Sequence, residues 1–422
     1  MGESATETWC RNDPRYGVAL CHFVRTDLPS LNARIDAGAE ADVFIDSFDH
    51  FVRGHLAMDL PTLFATLAVR AETFSLRNAR RTLSALGFVL TSLESHYQRL
   101  GTEPGQAVRS LLAEAALLAL ARTAHLPPYA NVDSMWLDNP VADADDPDDA
   151  PLTLTRDRGE LWFHGSIKLT NRLNLAAVAV LSPLARGEVA VDSDDGWAAM
   201  RKATDDILTV RARYAAFMQP ADAAGWPITP EFFATNYRTK LVRYPVGPQV
   251  GAAANVLHLA SQAILDFTIG TTNDVYAAAV ERSFPHMALD DPPKVREAMA
   301  QPCLTERVLD LLDLDRDAVA ASSDADLAQR IAAGPEGVRH TVLVYRDLAR
   351  AWASLSGVHW RLIDKFLIRY GSDNPDRRSQ PVAPLNVGRS GGSLTNSLAI
   401  LDMRRRHPVI SKIVAASRAA RA

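Results

Sequence analysis

Hydrophobic residues recur at helical spacing along most of the chain, whereas alternating patterns typical of strands are few. The clearest case lies near the C-terminus, where inward positions between residues 348 and 366 are spaced four, three, four, three and four residues apart. This spacing predicts an amphipathic helix with one buried stripe. The stripe consists of Leu348, Trp352, Leu355, His359, Leu362 and Phe366.

Other segments show the same periodicity. Two or three helices are predicted over residues 59–100, one over 107–123 and one over 255–269, and Pro127 and Pro128 stop the helix that precedes them. Short extended pieces are predicted only near 152–163 and 244–246. The fold class is therefore expected to be all-α.

A loop rich in aspartate and proline divides the chain. Residues 138–151 contain six aspartates and three prolines, which is typical of a solvated connection. We expect a smaller N-terminal helical lobe over residues 1–137 and a helical catalytic domain over 138–422. Two later breaks are predicted at 284–293 and 371–392, and the second is long enough to favour a functional or mobile loop.

Composition narrows the function classes. A net charge of −5 over 422 residues gives no support for a nucleic-acid surface. Three scattered cysteines without CxxC spacing argue against a thiolate zinc site and for a reducing compartment. The polar N-terminus does not resemble a signal peptide, and no apolar run is long enough to cross a membrane. We expect a cytoplasmic protein without membrane or nucleic-acid partners; association with further copies of the chain stays open.

His359 is the strongest candidate for a functional residue. It occupies the middle of the predicted apolar stripe, and a buried imidazole needs a partner for its polar nitrogens. A metal or haem iron is one partner, and a carbonyl or hydroxyl group is the other. HxxxH and HExxH patterns are missing, so sites with several histidines have no local signature. Haem iron requires only one protein nitrogen, because the porphyrin supplies four.

A second informative stretch begins at Phe232 and Phe233. Arg238 and Arg243 follow, and then a turn bracketed by glycines at residues 247–251. Aromatic rings beside arginines are suited to bind an aromatic amino acid. The rings can stack on its side chain, and a guanidinium can form two charge-assisted hydrogen bonds with its carboxylate. The glycines allow the backbone to approach a ligand closely. The alternative is that the arginines only solvate a surface helix.

In their order, these features resemble the superfamily of haem-dependent indoleamine and tryptophan 2,3-dioxygenases. The sequence is most similar to the monodechloroaminopyrrolnitrin synthase family within it. The matching pieces run from residue 126 to residue 406. They are Leu126-Pro127-Pro128, Phe232-Phe233 with a following arginine, the glycine turn at 247–251, the segment 355–366 around His359, and the glycine–serine loop at 388–393.

The resemblance implies an all-helical haem domain in which His359 binds the iron of haem b. It implies that dioxygen, or peroxide, and an aromatic amino acid meet on the opposite face. The cofactor-binding residues implied are His359, Gly247, Gly251 and Gly388. The substrate-binding residues implied are Arg238, Arg243, Phe232, Phe233, Val132, Phe163, Ser166, Thr170, Gly391, Gly392 and Ser393. The hydroxyls of Ser166 and Thr170 either bond oxygen or the indole nitrogen, or bond back to their own helix.

Several positions depart from the dioxygenases. There the arginine follows the second aromatic residue by four positions, whereas here that position is Tyr237 and Arg238 comes one later. Ala252 and Ala253 replace serines, and Ser393 stands where a threonine is usual. These changes favour a specialised member with another substrate or product over simple cleavage of tryptophan.

The function expected is that of a haem-dependent oxidoreductase, an oxygenase or a catalyst of an oxidative rearrangement. Its substrate would be an aromatic, tryptophan-derived amino acid of secondary metabolism. A non-catalytic haem or ligand carrier on the same scaffold is the alternative. A plain helical interaction protein, with His359 as a core residue, is a third possibility.

Overall fold

The computed structural model describes residues 14–38, 40, 42–139, 151–219, 228–251, 259–369 and 401–419. Within this part of the chain the protein is mostly helical, so the predicted all-α class is confirmed. The strands described are two residues each, and they form one antiparallel hairpin that pairs Val246 with Gln249.

In the described residues before 138, seven α-helices pack around one apolar core. They are α1 (Arg15–Thr26), α2 (Leu28–Asp36), α3 (Asp42–Leu56), α4 (Leu60–Arg70), α5 (Leu76–Arg99), α6 (Gln106–Ser110) and α7 (Glu114–Ala124). Helix α5 is the central element of this group and contacts α1, α6 and α7. Side-chain oxygens cap two of the helices, with Asp59 accepting from Thr62 N and Ser75 accepting from Asn78 N.

The second half is dominated by long helices. In chain order, the helices and strands described there are α8 (Arg158–Arg186), α9 (Asp194–Ala216), β1 (Pro245–Val246), β2 (Gln249–Val250), α10 (Ala260–Ile269), α11 (Asp274–Ser283), α12 (Asp291–Ala300), α13 (Leu304–Leu311), α14 (Arg316–Ala321), α15 (Asp324–Ala333), α16 (Glu336–Ile363) and α17 (Pro408–Ala419). Helix α9 packs against both α8 and α16, and α10 packs against α8. These four helices form the framework of the candidate site.

Three π-helical turns occur in the part of the chain that the structure describes. They are Asp133–Leu137, Phe232–Tyr237 and Asp364–Arg369, and the last one continues α16. Single π-turns are rare, and those that do occur are frequently found at functional sites. Two of the three contain positions that the sequence analysis had selected, namely Phe232, Phe233 and Phe366.

Three hydrophobic clusters fill the described interior, and the two larger ones border the candidate site. The first is built largely from residues before 155, and the second from α8, α9, α10, α13 and the helices that follow them. Phe163 and Phe233 are partly buried and pack against both clusters. The candidate site therefore lies where the two clusters adjoin. The boundary near residue 138 stays a prediction.

Several predicted boundaries differ from the structure. The segment 107–123 contains two helices, because residues 111–113 break the pattern between α6 and α7. The extended piece predicted at 152–163 is wrong in its second half, where Asp157 caps the start of α8. Near 244–246 the predicted extended piece is confirmed, since Pro245–Val246 forms a strand that pairs with Gln249–Val250. The helix predicted at 255–269 is described from Ala260 onward.

No helix in the described ranges combines the length and the apolar character needed to cross a bilayer.

Candidate functional site

His359 lies on α16, four residues before its end. Along the predicted stripe, Leu348, Trp352 and Leu355 are buried, whereas the imidazole keeps part of its surface accessible. The ring meets Tyr214 of α9 at a centroid distance of 5.7 Å and an interplanar angle of 66°. Helices α9 and α16 run side by side in the same direction, since Trp197 and His340 form a second ring contact near their other ends.

The His359 imidazole is suited to act as a ligand. Burial, helped by the nearby positive charge of Arg404, lowers its pKa to about 4, so the ring is neutral at pH 7. Among the described residues, no hydrogen bond joins either ring nitrogen to another group. In that part of the chain, therefore, no protein carbonyl or hydroxyl group serves as the hydrogen-bond partner of the His359 ring. A neutral imidazole nitrogen without a hydrogen bond is the form that binds haem iron.

A buried ion pair adjoins this histidine. Asp266 of α10 and Arg404 lie in direct contact, with side-chain exposures of 0% and 3%. Trp352 Nε1 donates to Asp266 Oδ1 at 2.9 Å, and Tyr276 donates its hydroxyl proton to Asp266 Oδ2 at 2.5 Å. The carboxylate thus ties α10, α11 and α16 to the segment that follows residue 400. Its Trp352 partner lies two helical turns before His359.

Aromatic rings form a continuous cluster beside the histidine. Phe163 is its centre, at 5.4 Å from Trp136, 6.3 Å from Phe217, 5.6 Å from Phe233 and 5.6 Å from Tyr237. All these distances join ring centroids, and they suit edge-to-face packing. The structure thus brings together rings from α8, two π-turns and the end of α9.

The cluster is continuous with His359 on one side and with the π-turn after α16 on the other. Tyr214 connects it to the histidine, because its ring lies 6.4 Å from that of Phe217. Phe233 connects it to Phe366 at 5.6 Å. We use the name aromatic cluster for these rings: Trp136, Phe163, Tyr214, Phe217, Phe233, Tyr237 and Phe366.

Two predicted hydroxyls lie on α8 beside the cluster. Ser166 donates to the carbonyl of Trp162 at 2.7 Å, and Thr170 donates to the carbonyl of Ser166 at 2.8 Å. Of the two alternatives left open by the sequence, the structure thus shows bonding back to their own helix. Ser166 Oγ also accepts from Arg213 Nε at 2.9 Å, and Thr170 Oγ1 lies 3.2 Å from the Tyr214 hydroxyl.

Other polar atoms in this bundle are buried without a partner in the described ranges, among them those of Asn174 and Ser261. Both amide atoms of Asn174 lack a hydrogen bond, and so does the hydroxyl of Ser261. Each residue is 2% exposed. Asn174 lies one turn beyond Thr170 on α8, and Ser261 belongs to α10, which packs on α8. Unsatisfied buried groups of this kind call for water or a bound ligand.

The predicted carboxylate clamp, Arg238, directly follows the π-turn that contains Phe232 and Phe233. The Arg238 backbone N–H donates to the carbonyl of Phe233, five residues earlier. The backbone hydrogen bond that joins residues four apart in an α-helix joins residues five apart in a π-turn. Arg238 therefore keeps the relation to Phe233 that four-residue spacing would give in an α-helix, despite the additional residue.

Arg238 is also an electrostatically strong candidate. Burial lowers the pKa of its guanidinium to about 10, so the group is desolvated and still charged at pH 7. Poor solvation strengthens the attraction between a guanidinium and an anion.

Arg243 takes a different position. Its Nε donates to the carbonyl of Gly251 at 3.3 Å, so its side chain supports the glycine turn. Gly247 adopts a left-handed φ of +58° in the hairpin. A Cβ on Gly251 would lie 2.7 Å from the Tyr244 carbonyl and 3.0 Å from Tyr129 Cγ. Gly247 is therefore explained by its backbone conformation and Gly251 by close packing, and their contact with a cofactor stays a prediction.

The remaining predicted positions divide into two groups. Phe232 packs against the first hydrophobic cluster, and Val132 is fully buried within it, one turn before Trp136. Gly388, Gly391, Gly392 and Ser393 lie outside the described residues, as do Ala252 and Ala253.

Sequence reasoning missed Tyr214, Tyr237 as a contact of Phe163, and the pair formed by Asp266 and Arg404. Asp266 carried a signal, because it is the one charged residue in the apolar run from 263 to 269. Arg404 carried none, since it begins a run of three arginines that suits an exposed helix end. The pairing of residues 138 positions apart in the chain depends on the tertiary fold.

Comparisons with models of protein families and with curated proteins found no match for this chain. Within the described ranges, three or more histidine, cysteine or acidic side chains nowhere come together as a possible metal site. The family resemblance drawn from the sequence thus stays a prediction.

Proposed function

We propose that this protein is a haem-dependent oxidative enzyme that acts on an aromatic amino acid, most closely one derived from tryptophan. One observation carries the proposal. His359 is partly buried, and it presents a neutral imidazole without a hydrogen-bond partner among the described residues, in contact with an aromatic cluster. A desolvated arginine, Arg238, directly follows a π-turn that contributes Phe233 and Tyr237 to this cluster. The ordered motifs that resemble the haem dioxygenases add to it.

His359 would hold the iron, and its surroundings favour that role. A neutral ring has a lone pair free for the metal at neutral pH. Tyr214 packs edge-on against the ring and restricts its rotation. The buried pair of Asp266 and Arg404 fixes α10 against α16, which keeps the helix carrying His359 in one position. When bound, the haem supplies the activation of dioxygen or peroxide.

The aromatic cluster would bind the ring of the substrate and keep water away from it. Phe163 and Phe233 offer edges and faces to an indole, and both are rigidly packed by neighbouring rings. Arg238 would bind the substrate carboxylate, because a desolvated guanidinium forms strong charge-assisted hydrogen bonds. The two contacts together would orient the amino acid relative to the His359 side of the site.

A panel of ligands tests this proposal. The haem-loaded protein is titrated with tryptophan, halogenated tryptophans, tyrosine and leucine, and the Soret band and oxygen consumption are recorded. We expect aromatic amino acids to shift the band and at least one of them to cause oxygen or peroxide consumption, with leucine inactive. Binding of haem without consumption by any aromatic amino acid would favour a carrier, and failure to bind haem would refute the proposal.

A further inference from the structure

The π-turn Phe232–Tyr237 contains one residue more than an α-helical turn would need. Its defining hydrogen bond runs from the Arg238 N–H to the Phe233 carbonyl. A π-turn has poorer packing than an α-turn, and it persists only where surrounding contacts hold it. The contacts that hold this turn therefore also fix the direction of Arg238.

Tyr237 supplies those contacts from the end of the turn. Its side chain is 1% exposed, and its hydroxyl oxygen accepts a hydrogen bond from Trp136 Nε1 at 3.1 Å. His164 Nε2 lies 2.9 Å from the same oxygen. The contact between His164 Nε2 and the Tyr237 hydroxyl is a hydrogen bond in either tautomer of the imidazole, with the ring nitrogen or the hydroxyl as donor.

These partners belong to three different elements. Trp136 is in the π-turn Asp133–Leu137, His164 is in α8, and Tyr237 closes the second π-turn. The Tyr237 ring also packs 5.6 Å from Phe163 and 6.0 Å from Phe233. One hydroxyl thus connects the turn to the centre of the aromatic cluster, and its removal would leave the buried Trp136 N–H without its acceptor and His164 Nε2 without its partner.

We propose that Tyr237 is a positioning residue for amino-acid selection: through its hydrogen bonds to Trp136 and His164, it holds the π-turn so that Arg238 faces the carboxylate of the bound substrate. This inference rests on the proposed function in assigning the carboxylate to Arg238. It concerns ligands that carry a free carboxylate and an aromatic ring. For the same ligands without the carboxylate, it predicts that the binding affinity does not depend on Tyr237.

The test compares Tyr237→Phe with Tyr345→Phe. Both variants remove one buried tyrosine hydroxyl; that of Tyr345 bonds Thr305 at 2.6 Å, four helical turns from His359 on α16. Dissociation constants for tryptophan and for tryptamine, which lacks the carboxylate, are measured from the Soret shift. Amide hydrogen exchange is followed in peptides that cover residues 228–240.

We expect Tyr237→Phe to weaken tryptophan binding by about tenfold, the loss typical when a hydrogen bond to a charged group is misaligned. Tryptamine binding and the Soret maximum should stay within about twofold of wild type. Exchange of amides 232–240 should accelerate in Tyr237→Phe and not in Tyr345→Phe. Equal losses for both ligands, or no loss for either, would overturn the inference.

The outcome also separates this inference from the proposed function. Should wild-type protein bind neither haem nor tryptophan, the proposed function fails, and hydrogen exchange alone decides the role of Tyr237. Faster exchange confined to Tyr237→Phe would then support Tyr237 as the residue that holds the turn. Unchanged exchange would overturn that role.

Discussion

Asp266 is a buried residue that holds together several elements beside the candidate site. It receives hydrogen bonds from Trp352 and Tyr276, and it pairs with Arg404 in a region closed to solvent. Removing one partner of such a pair leaves the other charged and desolvated, which is more costly than losing the contact itself.

Asp266→Asn should therefore lower the free energy of unfolding by about 3–5 kcal/mol. A matched control is Asp402→Asn, which breaks the exposed pair with Arg406, where the arginine side chain is 75% accessible. The control should cost less than about 1 kcal/mol. Urea denaturation followed by circular dichroism measures both changes, and similar losses in the two variants would contradict this account.

Asp133 makes stability depend on pH. Burial, followed by the negative charges of Asp291 and Asp138, raises the pKa of its carboxyl from 3.8 to about 7. Between these two values the unfolded chain binds fewer protons than the folded protein. The Asp133 contribution to stability is thus complete below the lower value and is lost as the pH rises through the upper one.

Asp133→Asn should remove this slope, because the amide resembles the protonated acid and does not titrate. The variant should gain stability relative to wild type as the pH rises from about 4.5 to about 7. Urea midpoints at several pH values in that interval measure the difference. A difference that is constant with pH would show that the Asp133 carboxyl is ionised throughout.

At the scale of elements, periodicity predicted the long helices well. Four of the six positions in the stripe that begins at Leu348 are buried as expected, because a 3.6-residue period depends only on local geometry and burial. His359 and Leu362 are only partly buried. The π-turns were not predictable in the same way. Their additional residue is stabilised by partners distant in sequence, as Tyr237 is by Trp136 and His164.

Two glycines in different elements should respond oppositely to alanine. On Gly251 a Cβ would lie 2.7 Å from a backbone carbonyl, so Gly251→Ala should destabilise by about 1–3 kcal/mol. Gly54 lies in α3 with nothing within 4 Å of its would-be Cβ, so Gly54→Ala should stabilise by about 0.5–1 kcal/mol. Thermal unfolding of both variants measures the signs, and a stabilising Gly251→Ala would refute the close approach.

At the scale of the whole molecule, two hydrophobic clusters adjoin at Phe163 and Phe233. Several residues that were selected from the sequence lie around this junction. His359, Phe163, Ser166, Thr170, Phe233 and Arg238 belong to this region or to elements that pack on it. Local patterns identified these residues singly. The order in which they meet depends on contacts across α8, α9 and α16, which no local pattern encodes.

The absorption spectrum of purified, haem-reconstituted protein tests the central claim most directly. His359→Ala is compared with His340→Ala, which changes another histidine of α16 whose ring contacts Trp197 and Arg201. We predict a Soret band in wild type and in His340→Ala, and its loss or strong shift in His359→Ala. A Soret band of unchanged position and intensity in His359→Ala, or none in wild type, would contradict the assignment of His359 as the iron ligand.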